Sequence, residues 1–336
     1  MKPLVGITAG DPAGIGPEII LKALGDPAIY EVCRPLVVGD AAFMGETAES
    51  MGLIRVNPVN SVSGARFAPG GADVLDTRVS GLSSLRLGQV QAAGGRAALA
   101  WVKRATELAL AGEVDALCTA PLNKEAVVQA GFMGFRGHTE FLGELCKVAN
   151  PLTLFVVDGL RILFLTRHIS LADAVASVTS DRILWFIPLA DRALRDLGIE
   201  HPRIAVAGLN PHSGEGGLFG AEEAREIAPA VSRAREMGFD VSGPVPADSV
   251  FYQARKGKFD AVVSLYHDQG HIAAKTLDFE HTVSVTLGLP FVRTSVDHGT
   301  AFDIAGKGTA SDVNMREAVK VAAEYTVRTR SESPRS

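Results

Sequence analysis

Three of the eight histidines stand where a strand-like segment gives way to a loop: His168 after Ile162–Thr166, His212 after Ile204–Gly208 and His267 after Val262–Leu265. In open parallel sheets the ligand crevice lies at the carboxyl ends of the strands. Imidazoles delivered there from separate strands could hold one divalent ion and leave a position open for substrate. An ordinary hydrogen-bonded histidine is the simpler account of any one of them, but recurrence at three strand ends weighs against it. No local H-E-x-x-H pattern is present. Asp268 and His271, in Tyr266-His267-Asp268-Gln269-Gly270-His271, could be further ligands, partners of the ligands or a base.

Other segments suit an anion. Gly10-Asp11-Pro12-Ala13-Gly14-Ile15-Gly16-Pro17-Glu18 follows the first strand-like run and opens a helix. Its glycines permit a tight turn, Pro17 suits a first helical turn, and the remaining N–H groups form an anion site. The spacing is not G-x-G-x-x-G, so a well-capped strand–helix turn competes, and Asp11 is excessive for that. Gly137-His138-Thr139-Glu140 starts another helix; capping by Thr139 explains Thr139 and Glu140 but leaves His138 over. Lys275 and Arg293 flank an apolar strand and could hold a phosphate or carboxylate, Arg by paired hydrogen bonds. Two surface cations is the alternative, less natural for Arg293 among apolar neighbours. Asp297-His298 reads either as a catalytic dyad or as a loop clamp.

The elements that must position these residues alternate along the chain. Strands are expected at Leu4–Ala9, Pro35–Gly39, Ala116–Thr119, Arg203–Ala207, Ala261–Leu265 and Thr282–Thr286. Helices are expected at Pro17–Leu24, Val90–Leu110, His138–Val148, Leu171–Leu197, Ala221–Met237 and Asp312–Arg328. This order implies βαβ units and a mostly parallel sheet, an α/β fold. Asp158-Gly159 between Leu152–Val157 and Arg161–Thr166 is a hairpin signal, predicting an added antiparallel element. Ser61–Gly71 reads as a surface loop and Arg328–Ser336 as a polar, frayed tail.

The chain has 336 residues, which suits two domains or one unusually large α/β unit. Its 47% apolar and 21% charged residues argue against disorder and a coiled coil. The 33 basic and 38 acidic side chains form no run of one sign, so a nucleic-acid partner is not expected. No apolar stretch reaches the length of a membrane span, and no signal-peptide pattern precedes the first strand. Cys33, Cys118 and Cys146 are odd in number and far apart, which points to a reducing interior. The expectation is a cytoplasmic enzyme.

Taken together, GDPAGIGPE (Gly10–Glu18), GHTEFL (Gly137–Leu142), GLNPHSGEGG (Gly208–Gly217), GPVPAD (Gly243–Asp248), YHDQG (Tyr266–Gly270) and TLGLPFVRTSVDHGTAFDIAGKG (Thr286–Gly308) closely resemble the 4-hydroxythreonine-4-phosphate dehydrogenase (PdxA) family. The opening motif is also similar to that of isocitrate and isopropylmalate dehydrogenases. The resemblance implies a two-domain fold of that kind, with 1–125 plus 300–336 forming one domain and 126–299 the other, which would carry the metal ligands. It implies a homodimer with active sites in the interdomain cleft shared between subunits. It places the metal ligands on His168, His212 and His267, and the substrate contacts on His138, Thr139, Lys275, Ser284 and Arg293. Ser284 stands where the family normally has Asn. NAD or NADP would lie against Asp11, Gly14, Gly16, Asp297 and His298. The single divalent ion of each site could be zinc, magnesium, cobalt, nickel or manganese.

The chemistry so implied is oxidation at C3 of a phosphorylated hydroxy acid, followed by loss of carbon dioxide from the 3-oxo acid. Asp248, Asp268 and His271 are the protein groups that could take the hydroxyl proton. The leading substrate is 4-phosphooxy-L-threonine, giving 3-amino-2-oxopropyl phosphate for pyridoxal phosphate biosynthesis. The alternative is D-threonate or D-erythronate 4-phosphate, giving dihydroxyacetone phosphate. Thr119–Glu125 and His267–His271 look more like that branch. A dihydrodiol dicarboxylate would not need Lys275 and Arg293, and a metal-dependent phosphatase would need no nicotinamide.

Overall fold

The β-branched runs become strands in the computed structural model, which describes residues 1–332. In chain order these are β1 (Leu4–Thr8), β2 (Arg34–Gly39), β3 (Arg55–Val59), β4 (Gly71–Asp76), β5 (Ala116–Thr119), β6 (Leu152–Val157), β7 (Leu160–Phe164), β8 (Ile204–Ala207), β9 (Val241–Val245), β10 (Ala261–Ser264), β11 (Val283–Leu287) and β12 (Val292–Val296). The chain clusters into two units, Met1–Pro151 with Val283–Ser336, and Leu152–Thr282.

In the first unit the strand order is β3-β4-β2-β1-β5-β12-β11. All neighbours are parallel except β11 and β12, which pair antiparallel. β1 and β5 are buried along their whole length, as strands covered on both faces must be, and read as continuous apolar runs. Helices Gly16–Leu24, Ala92–Leu110 and Val313–Glu332 accompany this sheet. Residues 126–151 and 283–299, expected with the second domain, belong to this unit. The reason is pairing: Thr294 of β12 sits opposite Cys118 of β5. β3, absent from the sequence expectation, carries Pro58 and is mostly uncovered, as befits an edge.

In the second unit the order is β6-β7-β10-β8-β9. β6 and β7 form the antiparallel hairpin signalled by Asp158-Gly159, with positive φ at both turn residues (44° and 76°). The other pairs are parallel. The expected helix Leu171–Leu197 is two, Leu171–Ala176 and Ser180–Arg195, because Ser170 and Thr179 each cap a new start through their side chains. The expected helix Ala221–Met237 begins with one π turn, Glu223–Ile227, before the α-helix Ala228–Glu236.

The segment read as a loop after β10 is instead a helix, His267–Leu277. A Cβ on Gly270 would lie 2.6 Å from the Phe164 ring, 2.7 Å from Ser264 Oγ and 2.8 Å from Ile162 Cγ2. The glycine lets this helix press directly onto β7 and β10, and the contact outweighs its poor helix propensity. Asp248 likewise lies on a helix, Ala247–Arg255. No helix among the described residues is long and apolar enough to cross a membrane. All three cysteines are free thiols. The tail expected to fray is helical as far as Glu332, and its remainder lies outside the described residues.

Candidate active site

In the first unit, β12 carries Arg293 into the interior at 2% exposure. Its Nη1 donates to Thr286 Oγ1 of β11 at 2.8 Å and its Nη2 donates to Thr119 Oγ1 at the end of β5. Both partners are neutral hydroxyls, and Nε is shielded with no partner. Burial pulls the guanidinium pKa down to about 10. The Glu140 carboxylate offsets that burial only in part, which leaves the guanidinium a site for an anion. Ser284, half-buried on β11, lies two residues before Thr286 and therefore on the same face of that strand.

His138 opens the helix His138–Cys146, and its Nε2 is shielded and unpaired. Burial, then the positive charges of Arg293 and Lys124, hold its pKa well below the usual imidazole value. It is therefore a neutral ring beside two cations, able to meet a ligand without adding charge. The cap position belongs to Gly137 and has no side-chain hydrogen bond, so Thr139 does not cap this helix as the sequence suggested. Capping thus no longer accounts for its hydroxyl.

Asp11 is completely buried. Its Oδ1 accepts from the N–H of Ala13 at 2.9 Å, while Oδ2 is shielded and unpaired. Burial raises its pKa to about 6, despite backbone hydrogen bonds from Ala13 and Asn123. Gly14 lies against Thr300: the Ile15 N–H donates to Thr300 O at 3.0 Å, and a Cβ on Gly14 would sit 2.7 Å from that oxygen. Gly16 is buried as tightly, with Ala9 O 2.5 Å from where its Cβ would be. The structure thus joins the Gly10–Gly16 turn to the loop after β12, and turns Asp11, Gly14 and Gly16 inward. In that loop the Asp297 N–H donates to Asn314 Oδ1 at 2.8 Å, and His298 Nδ1 lies 3.0 Å from Gly299 O with its Nε2 shielded.

In the second unit, His168 and His267 come together, with ring centroids 5.9 Å apart. They line a cavity of about 290 Å³ with Arg167, Tyr266 and Asp268. Asp268 Oδ1 is 2.6 Å from His267 Nδ1, which aims Nε2 of that ring elsewhere. Such a carboxylate-oriented imidazole is the usual arrangement of a metal ligand. His271 stacks on His267 with centroids 3.6 Å apart and packs against the rings of Phe155 and Phe164. Burial, against a hydrogen bond to His267 O, lowers its pKa to about 4. That makes it a weak base and a firm support for the ring it stacks on.

His212 does not join them here. It is exposed on the turn Pro211–Gly217, with its ring 6.3 Å from that of Phe219. Among the described residues no three His, Cys, Asp or Glu side chains cluster closely enough to hold a metal ion. The donor chemistry of the His168–His267 pair fits a divalent ion; the expected triad is not assembled. Asp248 and Asp268, both exposed, line a larger cavity of about 720 Å³ with Tyr252, Tyr266 and Ile272. Lys275 lies on the same helix as His267, its Nζ 5.1 Å from the centre of the Phe279 ring.

Reasoning from the sequence missed Thr119, Thr286, Gln269 and Glu223. Gln269 joins two turns: its Oε1 accepts from the Leu265 N–H at 2.7 Å and its Nε2 donates to Gly208 O at 2.8 Å. The signal for Thr119 and Thr286 was their place near strand ends, each as the first residue of a segment that carries the resemblance. Glu223 had none, because it lies beyond the motif that it supports.

The model of the family described as pyridoxal phosphate biosynthetic protein PdxA matches residues 31–322. A relative from Symbiobacterium thermophilum, provisionally named D-threonate 4-phosphate dehydrogenase, is 57% identical over 325 residues, 96% of this chain and 97% of its own. A relative with the same provisional name from Halalkalibacterium halodurans is 50% identical over 325 residues, again 96% and 97% of the two chains. A solved 4-hydroxythreonine-4-phosphate dehydrogenase from Klebsiella pneumoniae superposes with a TM-score of 0.90 at 43% identity, over 97% of this chain and 100% of that one. With a family match across most of its length, the chain belongs to the PdxA family and is an NAD(P)-dependent dehydrogenase that acts on a CH–OH group of a phosphorylated hydroxy acid.

Proposed function

We propose that the substrate is D-threonate 4-phosphate or its C2 epimer, D-erythronate 4-phosphate. A hydride passes from C3 to the nicotinamide and the hydroxyl proton to a base. The resulting 3-oxo acid loses C1 as carbon dioxide, and protonation at C2 gives dihydroxyacetone phosphate. The observation that carries a phosphorylated substrate is Arg293, a buried guanidinium whose described partners are neutral hydroxyls. Beside it, the shielded Nε2 of His138 and the hydroxyl of Thr139 are further contacts for the phosphate. Lys275, on the helix His267–Leu277 of the second unit, is a further proposed substrate contact. The hydroxy acid is favoured over 4-phosphooxy-L-threonine by the two relatives at 57% and 50% identity, both provisionally named for D-threonate 4-phosphate. Ser284, on the same strand face as Thr286, offers a small hydroxyl suited to a substrate hydroxyl.

His168 and His267, with His212 as third, would hold a divalent ion that acts as a Lewis acid on the substrate oxygens. Asp268 orients His267, and His271 packs against it. Asp248, exposed in the larger cavity of the second unit, is the remaining carboxylate and the proposed proton acceptor. The loops of Gly10–Gly16 and Asp297–Ala301 would back the nicotinamide cofactor, with backbone rather than the Asp11 side chain facing it.

The test is turnover followed as reduced cofactor with D-threonate 4-phosphate, D-erythronate 4-phosphate, 4-phosphooxy-L-threonine and a dihydrodiol dicarboxylate, each with and without a chelator. Chelator-sensitive reduction of NAD with a hydroxy-acid phosphate is expected. Preference for 4-phosphooxy-L-threonine would return the enzyme to the pyridoxal phosphate route, and turnover of the dihydrodiol alone would reject the phosphate slot.

A further inference from the structure

From His212 to Gly217 the backbone does something that side-chain-bearing residues avoid. His212, Ser213, Gly214, Glu215, Gly216 and Gly217 all have positive φ, at 53°, 54°, 82°, 43°, 66° and 100°. His212, Ser213 and Glu215 carry a Cβ, so a left-handed turn of this length persists only if its surroundings enforce it. What enforces it is a carboxylate from another element. Glu223 is buried at 4% exposure in the π turn Glu223–Ile227. Its Oε1 accepts from the N–H of Leu209 at 2.8 Å and of Asn210 at 2.7 Å, and its Oε2 accepts from Asn210 Nδ2 at 2.9 Å. Asn210 O in turn accepts from the Ser213 N–H at 3.1 Å, closing the turn that displays His212. Gly214 completes the fit: a Cβ there would stand 2.9 Å from Glu223 Oε2. Single π turns of this sort recur at functional sites.

We infer that Glu223 is a positioning residue, which holds the Leu209–Gly217 turn in its left-handed form and so fixes where His212 is presented. This rests on the reading of His212 as a functional residue. Glu223 touches neither substrate nor ion; it acts through the turn.

The experiment uses the full-length protein and compares Glu223→Ala with the milder Glu223→Gln. Gln keeps one carbonyl acceptor for the two backbone N–H groups but offers an NH₂ where Asn210 needs an acceptor. Hydrogen exchange of the amides of Leu209, Asn210 and residues 212–217, and turnover, are measured on each. In Ala, exchange of these amides should accelerate at least tenfold with a comparable fall in kcat, while the amides of β1, β5 and β10 stay protected; Gln should lie between Ala and the parent. If Ala does not fold, Gln alone must show faster exchange and lower kcat. Unchanged exchange in the turn, or a loosened turn with undiminished kcat, overturns the inference. Full activity of His212→Ala would instead remove His212 from the site, which separates failure of the underlying reading from failure of the positioning role.

Discussion

Replacing Arg293 by Met should make the ligand-free protein slightly more stable and nearly useless for binding substrate. The guanidinium is held near pKa 10 against its usual 12.5, chiefly by burial. At 1.36 kcal/mol per pKa unit, keeping that charge inside the fold costs about 3 kcal/mol. Methionine fills a similar volume without charge, but it strands the hydroxyls of Thr119 and Thr286, at about 1 kcal/mol each. The balance is a gain of about 1 kcal/mol. The same change removes a charge-assisted hydrogen bond to the substrate anion, worth roughly 1.5–3 kcal/mol, or about 10- to 150-fold in affinity. Urea unfolding without ligand measures the first quantity, and KM for the phosphorylated substrate measures the second. Inorganic phosphate should also protect the parent against urea, and not the Met variant. A variant less stable than its parent, with KM unchanged, would falsify the idea that Arg293 waits for an anion.

Asp11→Asn tests a second buried ionisable group. Because the fold raises this carboxyl to about 6 from 3.8, its contribution to stability is present below about pH 4 and is lost as pH rises through 6. Asn should therefore stabilise the protein by about 3 kcal/mol at neutral to alkaline pH and by almost nothing below about pH 4, as urea titrations at both ends will show. An Asn variant less stable under alkaline conditions would mean that the carboxylate has a supporting partner. His212→Ala should abolish turnover with the fold intact, since the turn is exposed; circular dichroism and NAD reduction read the two separately, and retained activity removes His212 from the chemistry.

Local pattern carried a good deal of this protein. The β1, β2, β5, β8 and β10 runs are short, apolar and β-branched, and a strand covered on both faces needs little else. Asp158-Gly159 specified its hairpin because only a few residues accept two successive positive φ values. Arg293 stood out as a cation among apolar neighbours. Where sequence reading fell short, a distant contact overruled a local preference. Gly270 sits inside a helix because Phe164 and Ser264 leave no room for a side chain, and β3 forms with a proline because its edge position forgives the missing donor.

Residue chemistry and chain order were legible in one dimension: which groups can hold an anion, which can donate imidazole nitrogen, and that strands and helices alternate. Three-dimensional packing settled the states of those groups. Desolvation outweighs the pull of Glu140 on Arg293, makes His138 and His271 neutral, and shuts the Asp11 side chain inside the fold. Packing also pairs His168 with His267 while a remote glutamate wraps the turn of His212. These depend on which atoms exclude water from which, and side chains far apart along a chain reveal that only once they meet.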